Sequence, residues 1–170
     1  KRDVPGFYNL WRGFAVEPRK GDCTKFLAHM HDNICQGNDM LYAWVMAWFT
    51  SIFQRPEVKY GTSLTLRGKQ GVGKTKVGEI MESLLGVHYK SVSDARYVTG
   101  NFNSHMVSLL MLHADEGFWA GDKRAEGRLK DLITGHSHPI EFKGKDSFWV
   151  DNYVRLFVTG NHDWQVPAGF

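Results

Sequence analysis

An α/β fold with a central, mainly parallel sheet, preceded by a small helical segment, is what this sequence predicts. Three observations predict it. The run Gly68-Lys69-Gln70-Gly71-Val72-Gly73-Lys74-Thr75 follows a β-prone stretch, 63–67, and precedes Val77, Ile80, Met81 and Leu84 at helical spacing, so strand, glycine loop and helix stand in order. The runs 107–114 and 154–159 are apolar almost without interruption, as strands covered on both faces must be. Upstream, Leu41, Trp44, Val45, Trp48, Phe49 and Ile52 keep the i, i+3, i+4, i+7 spacing of a helix with one buried face.

The elements follow in chain order. Residues 5–20 mix Pro, Gly and aromatics and are expected to form an irregular lead-in. Residues 24–34 suit a short helix. A longer one starts near Asn38 or Asp39, either of which can cap it, and Arg55-Pro56 ends it. Residues 1–57 are therefore expected to be a helical N-terminal segment, with the α/β core in 58–170. In the core, the strand 63–67 leads into the glycine loop, and a helix is expected from Thr75 to residue 85. Residues 88–92 suit a second strand. The run 123–134 reads as a helix with Leu129, Leu132 and Ile133 inward, stopped by Gly135. Runs 140–142 and 148–150 flank Lys143-Gly144-Lys145-Asp146-Ser147 as the arms of a hairpin.

Composition narrows the class. The chain has 170 residues, room for one α/β domain and a modest extra segment. A net charge of +3 permits a polyanionic partner without demanding one. No apolar run approaches the roughly 18 residues of a membrane span, so no membrane partner is expected. Cys23 and Cys35, with no signal peptide, read as reduced thiols in a cytoplasmic protein. The ends, Lys1 and Phe170, look cut from a longer protein. His29, His31, Cys23 and Cys35 match no zinc spacing. His113 is expected as a satisfied core residue, and His136 and His138 as loop residues.

The chemistry centres on the glycine loop. It fits G-x-x-x-x-G-K-[ST], in which glycines curl the backbone so that successive N–H groups face phosphate oxygens. Gly68, Gln70, Gly71, Val72, Gly73, Lys74, Thr75 and Lys76 are the candidate nucleotide contacts, with ATP and Mg²⁺ as the expected ligands. Lys74 would reach the β- and γ-phosphates, and the Thr75 hydroxyl would ligate Mg²⁺. Asp115 and Glu116 close an apolar strand about 40 residues on, a spacing that suits the acidic element of such sites. Asp115 would hold Mg²⁺, and Glu116 would orient or deprotonate the attacking water. Asn161, after the last apolar strand, can hydrogen-bond the γ-phosphate or that water. Lys143 and Lys145, flanking a glycine at a hairpin tip, are candidate contacts for nucleic-acid phosphates.

Taken together, the phosphate loop, Ala114-Asp115-Glu116, the hairpin and Thr159-Gly160-Asn161 resemble motifs A and B, the hairpin element and motif C of superfamily 3 helicases. More narrowly, the stretches 8–14, 115–123 and 161–168 are similar to the helicase portion of phage and prophage primase-helicase or primase-polymerase proteins. The resemblance implies an AAA+-like P-loop core in a ring, usually a hexamer, with ATP between neighbours and single-stranded DNA in the channel. It implies catalytic roles for Lys74, Glu116 and Asn161, metal binding by Thr75 and Asp115, and DNA contact by Lys143 or Lys145. It also implies a primase or polymerase domain elsewhere in the full-length protein. Such rings use an arginine from the adjacent subunit, and none of Arg124, Arg128 and Arg155 has a clear claim to that role. Two rival readings share the ATP site: a non-unwinding scaffold or loader, and a nucleotide or small-molecule kinase.

Overall fold

The computed structural model describes residues 5–6, 8–94, 96–116 and 123–161, with Lys123 and Arg124 by backbone alone. The N-terminal helices are α1 (Thr24–Ala28), which runs into a π-helical turn His29–Ile34, and α2 (Asp39–Gln54). Then come β1 (Leu64–Arg67), α3 (Lys74–Leu85), β2 (Tyr89–Val92), α4 (Arg96–Thr99), β3 (Met111–Asp115) and α5 (Lys123–Thr134). A hairpin, β4 (Ser137–Ile140) and β5 (Phe148–Asp151), precedes β6 (Arg155–Gly160). The fold is α/β as expected. Four parallel strands form one sheet in the order β1-β6-β3-β2, and β4-β5 form a small antiparallel one.

The strand sequences explain the layering. β3 and β6 are the inner strands, and their residues are buried on both faces except at the tip of β3. β1 lies at an edge and alternates buried and exposed side chains. Met111 and Phe157 face α2 and α3, together with Val45, Trp48, Phe49, Ile52, Val77, Met81 and Leu85. Leu112, Ala114, Leu156 and Val158 face the other side, where Ala125, Leu129 and Leu132 of α5 cover them. The full burial of Phe157 alone contributes about 2 kcal/mol.

Local chemistry sets the ends of α2. Asn38 is the cap, and its side-chain oxygen accepts from the Leu41 N–H at 2.9 Å. Of the expected stripe, Val45, Trp48, Phe49 and Ile52 are buried, whereas Leu41 and Trp44 are 46% and 47% exposed. The first turn of α2 therefore overhangs the core instead of entering it. Downstream, Arg155 is buried and donates to the carbonyls of Arg55, Pro56 and Val58. Lys59 donates to the carbonyls of Leu132 and Val154. These two cations tie the segment after α2 to β6, and burial holds both below their ordinary pKa values, Lys59 to about 7.

Three expectations are corrected. The strand predicted over 107–114 begins only at Met111, because Ser104–Met106 form a 3-10 turn and Leu109 N–H bonds Met106 O. Leu109 and Leu110 are apolar because they are buried, not because they are extended. His138, expected in a loop, lies in β4 opposite Val150 and is buried. The hairpin ladder starts earlier than its sequence pattern suggested, and Phe142 leaves it to stack on Phe148 at 5.9 Å. Among the described residues, no helix is long and apolar enough to cross a membrane.

Candidate nucleotide site

The carboxyl ends of β1, β6 and β3 lie level with one another. Arg67 is the register partner of Gly160, and Thr159 that of Asp115. Because the strands are parallel, residues that follow them meet at one edge of the sheet. β1 delivers the glycine loop there. Gly71 and Gly73 take left-handed φ values of 88° and 86°, so the chain reverses into α3 without a Cβ penalty. Gly73 is the cap of α3 and offers no side chain to the first helical N–H groups.

Lys74 is the buried member of the loop, 8% exposed. Its ammonium donates to Gly68 O at 2.6 Å, Lys69 O at 2.9 Å and Asn161 Oδ1 at 2.9 Å. Asn161 in turn donates from Nδ2 to Glu116 Oε1 at 3.1 Å. Thr159, two residues earlier on β6, donates to Asp115 Oδ1 at 2.6 Å. Lys74, Asn161, Glu116 and Asp115, selected from three separate stretches of sequence, therefore stand together. Glu116 holds φ = 57°, a left-handed conformation uncommon for a non-glycine residue; such strain is concentrated at functional sites.

The remaining loop candidates lie on the loop and the first turn of α3. Thr75 and Lys76 begin α3 and are exposed, and Lys76 pairs with Glu79. Gln70 and Val72 are exposed on the loop. Lys143 and Lys145 are elsewhere, on the exposed turn between β4 and β5. There Gly144 takes φ = 75°, and Lys145 Nζ sits 5.9 Å from the centre of the Phe142 ring. Residues 117–122 and 162–168, which carry much of the narrower resemblance, lie outside the described residues.

The structure adds neighbours that the sequence reading missed. The π-turn after α1 lays His29 on the loop, with Nε2 3.4 Å from Gly73 O and Nδ1 2.9 Å from Asn33 Nδ2. A Cβ at Gly73 would lie 2.4 Å from His29 Cε1, so any other residue there would displace the His29 ring as well as strain φ. A cleft of about 770 Å³ opens beside the loop, lined by Asn33, Gln36, Leu41, Arg67, Val72 and Lys74 among others. No spacing rule connects residues 29–41 to a loop at 68–75; only tertiary packing does. His113 is a satisfied core residue as expected, its ring hydrogen-bonded to Tyr89 and Thr159.

The chain was compared with known families, proteins and structures. Residues 66–169 match the model of a family described as a family of unknown function (DUF5906). A stretch of 120 residues, 67% of this chain, is 26% identical to the DNA Primase-polymerase of Nitratiruptor phage NrS-1, and covers 16% of that protein. An apo structure of the NrS-1 C terminal region superposes with a TM-score of 0.77 at 21% identity, covering 90% of this chain and 37% of that one. An A form apo structure of the same region gives 0.75 at 20% identity, with 90% and 36% covered. At these identities the structural likeness is one of fold, and the chain spans a minor part of each relative's length.

Proposed function

The chain belongs to the DUF5906 family; from the geometry of its strand ends and its likeness to a phage DNA primase-polymerase we propose that it is an ATP-dependent DNA helicase domain of a phage or mobile-element replication protein, built on a P-loop NTPase core. One observation carries the reading: the Lys74 ammonium, the Asn161 amide and the Glu116 carboxylate are joined by hydrogen bonds at the sheet edge where the glycine loop opens α3.

The residues fit a magnesium–nucleotide complex. Gly71 leaves its backbone accessible, with nothing near the position of a Cβ, and the α3 N-terminus carries no side-chain cap. Phosphate oxygens are stronger acceptors for Lys74 than the two carbonyls it now bonds, because both partners are charged. Thr75 and Asp115 would supply hard oxygen ligands for Mg²⁺, which when bound would neutralise phosphate charge. Glu116 would accept the proton of the attacking water while Asn161 holds it in line. The cleft under Leu41 and Val72 has room for the nucleoside.

The DNA half of the proposal draws on the relative, a phage DNA primase-polymerase. Lys143 and Lys145 would meet the phosphates of a single strand passing a hexameric ring, and a primase or polymerase domain would accompany this one in the full-length protein. ATP turnover with and without single-stranded DNA tests it. Turnover that is stimulated by DNA and lost in Lys74→Ala is expected, with Glu116→Gln binding ATP but turning it over slowly. Lys74-dependent turnover indifferent to DNA would move the reading to a scaffold or loader, and stimulation by a small acceptor instead would move it to a kinase.

A further inference from the structure

A line of buried polar groups runs beneath α3 to Asp115. His113 of β3 is 1% exposed and packs on Phe157, ring centres 4.7 Å apart. Its Nδ1 lies 2.6 Å from the Tyr89 hydroxyl on β2, and its Nε2 lies 2.8 Å from Thr159 Oγ1 on β6. Thr159 Oγ1 lies 2.6 Å from Asp115 Oδ1.

The directions of these bonds follow from the chemistry of the groups. A carboxylate only accepts, so Thr159 gives its single hydroxyl hydrogen to Asp115. Thr159 Oγ1 must then accept from His113, which puts the imidazole hydrogen on Nε2. Nδ1 is left as the acceptor for the Tyr89 O–H. Every donor in the line therefore points toward Asp115. Helix α3 makes room for it: a Cβ at Gly78 would lie 2.6 Å from the His113 ring and 2.9 Å from the Tyr89 hydroxyl. An apolar side chain at position 113 would fill this core without the desolvation that a polar line carries.

We propose that Tyr89, His113 and Thr159 form a positioning relay that holds the Asp115 carboxylate in the orientation needed to receive the divalent metal of a metal–nucleotide complex. The proposal rests on the reading of Asp115 given above. Thr159 also ties Asp115 to the strand that carries Asn161 to Lys74 and Glu116, so metal and phosphate contacts are set by one strand end. The three relay residues act through Asp115 and are positioning residues, not catalytic ones.

The test is titration of a fluorescent ATP analogue into the wild-type chain and Thr159→Val, which removes the hydroxyl at nearly constant shape. Each is titrated over a Mg²⁺ series and in EDTA. The expected result is a Mg²⁺ midpoint raised by about tenfold or more, the usual effect of losing a ligand's supporting hydrogen bond. Affinity in EDTA is expected to stay at the wild-type level, and Thr159→Ser to restore the midpoint. An unshifted Mg²⁺ midpoint in Thr159→Val would overturn the relay. Should Thr159→Val fail to fold, His113→Leu against His113→Gln, which keeps a donor and an acceptor, carries the same comparison. Analogue binding that is absent or unaffected by Lys74→Ala would instead refute the phosphate-loop reading, which separates the two failures.

Discussion

At the scale of single residues, His113 has a consequence for stability. The unfolded chain takes up its proton near the ordinary value of 6.5, whereas the buried ring resists protonation until about 4, chiefly through desolvation and against the pull of Asp115. Between those values the unfolded state binds more protons than the folded one, so stability falls as pH falls through this window. Urea unfolding at pH 7 and 4.5 is expected to show His113→Gln losing roughly 2–3 kcal/mol less than the wild type over that interval. Equal losses would mean that the ring is not held neutral. That Lys74, Asn161, Glu116 and Asp115 meet at the strand ends was legible in sequence because each belongs to a restricted pattern: a lysine closing a glycine loop, two acids after an apolar strand and an amide after another. His29, Asn33 and the Tyr89–His113 pair were not. A histidine in an apolar strand gives no sign of what its nitrogens meet, and the stretch 29–33 reaches the loop only through a π-turn that no periodicity announces.

At the scale of elements, α3 offers the sharpest prediction. In an ordinary helix interior Gly→Ala stabilises by about 1 kcal/mol. Here Gly78→Ala forces a methyl against His113 and Tyr89, and a net destabilisation of roughly 1–3 kcal/mol is expected in thermal or urea unfolding. A rise in Tm would contradict the packing of α3 on the relay. The cap of α2 gives a smaller test: Asn38→Ala is expected to cost about 1 kcal/mol by the same measurement. If Lys143 and Lys145 meet DNA phosphates, each change to Ala is expected to reduce the slope of log affinity against log salt by about 0.7. An unchanged slope would leave them as solvated surface charges. Helices α2 and α5 were readable because their apolar spacing matched the helical period. Strand starts were less so, since Leu109 and Leu110 are as apolar in a turn as they would be in a strand.

For the whole molecule, the sheet order makes the site. With β6 between β1 and β3, Asn161 emerges between Lys74 on one side and Glu116 on the other. The order itself was not legible, because apolar runs show that strands are buried but not which strand each one pairs with. Nor was it legible that the N-terminal helices share an apolar cluster with the sheet, with Met30 and Ile52 fully buried. That packing brings residues 29–41 to the loop and forms the cleft. Whether the loop holds the phosphates of a nucleotide through Lys74 is measured most directly by calorimetric titration of Mg·ATP into the wild-type chain and Lys74→Ala. The expected result is saturable binding by the wild type, weakened by about tenfold to a hundredfold in Lys74→Ala, the range for losing a hydrogen bond to a charged group. Equal affinity in the two proteins, or no binding by either, would contradict it.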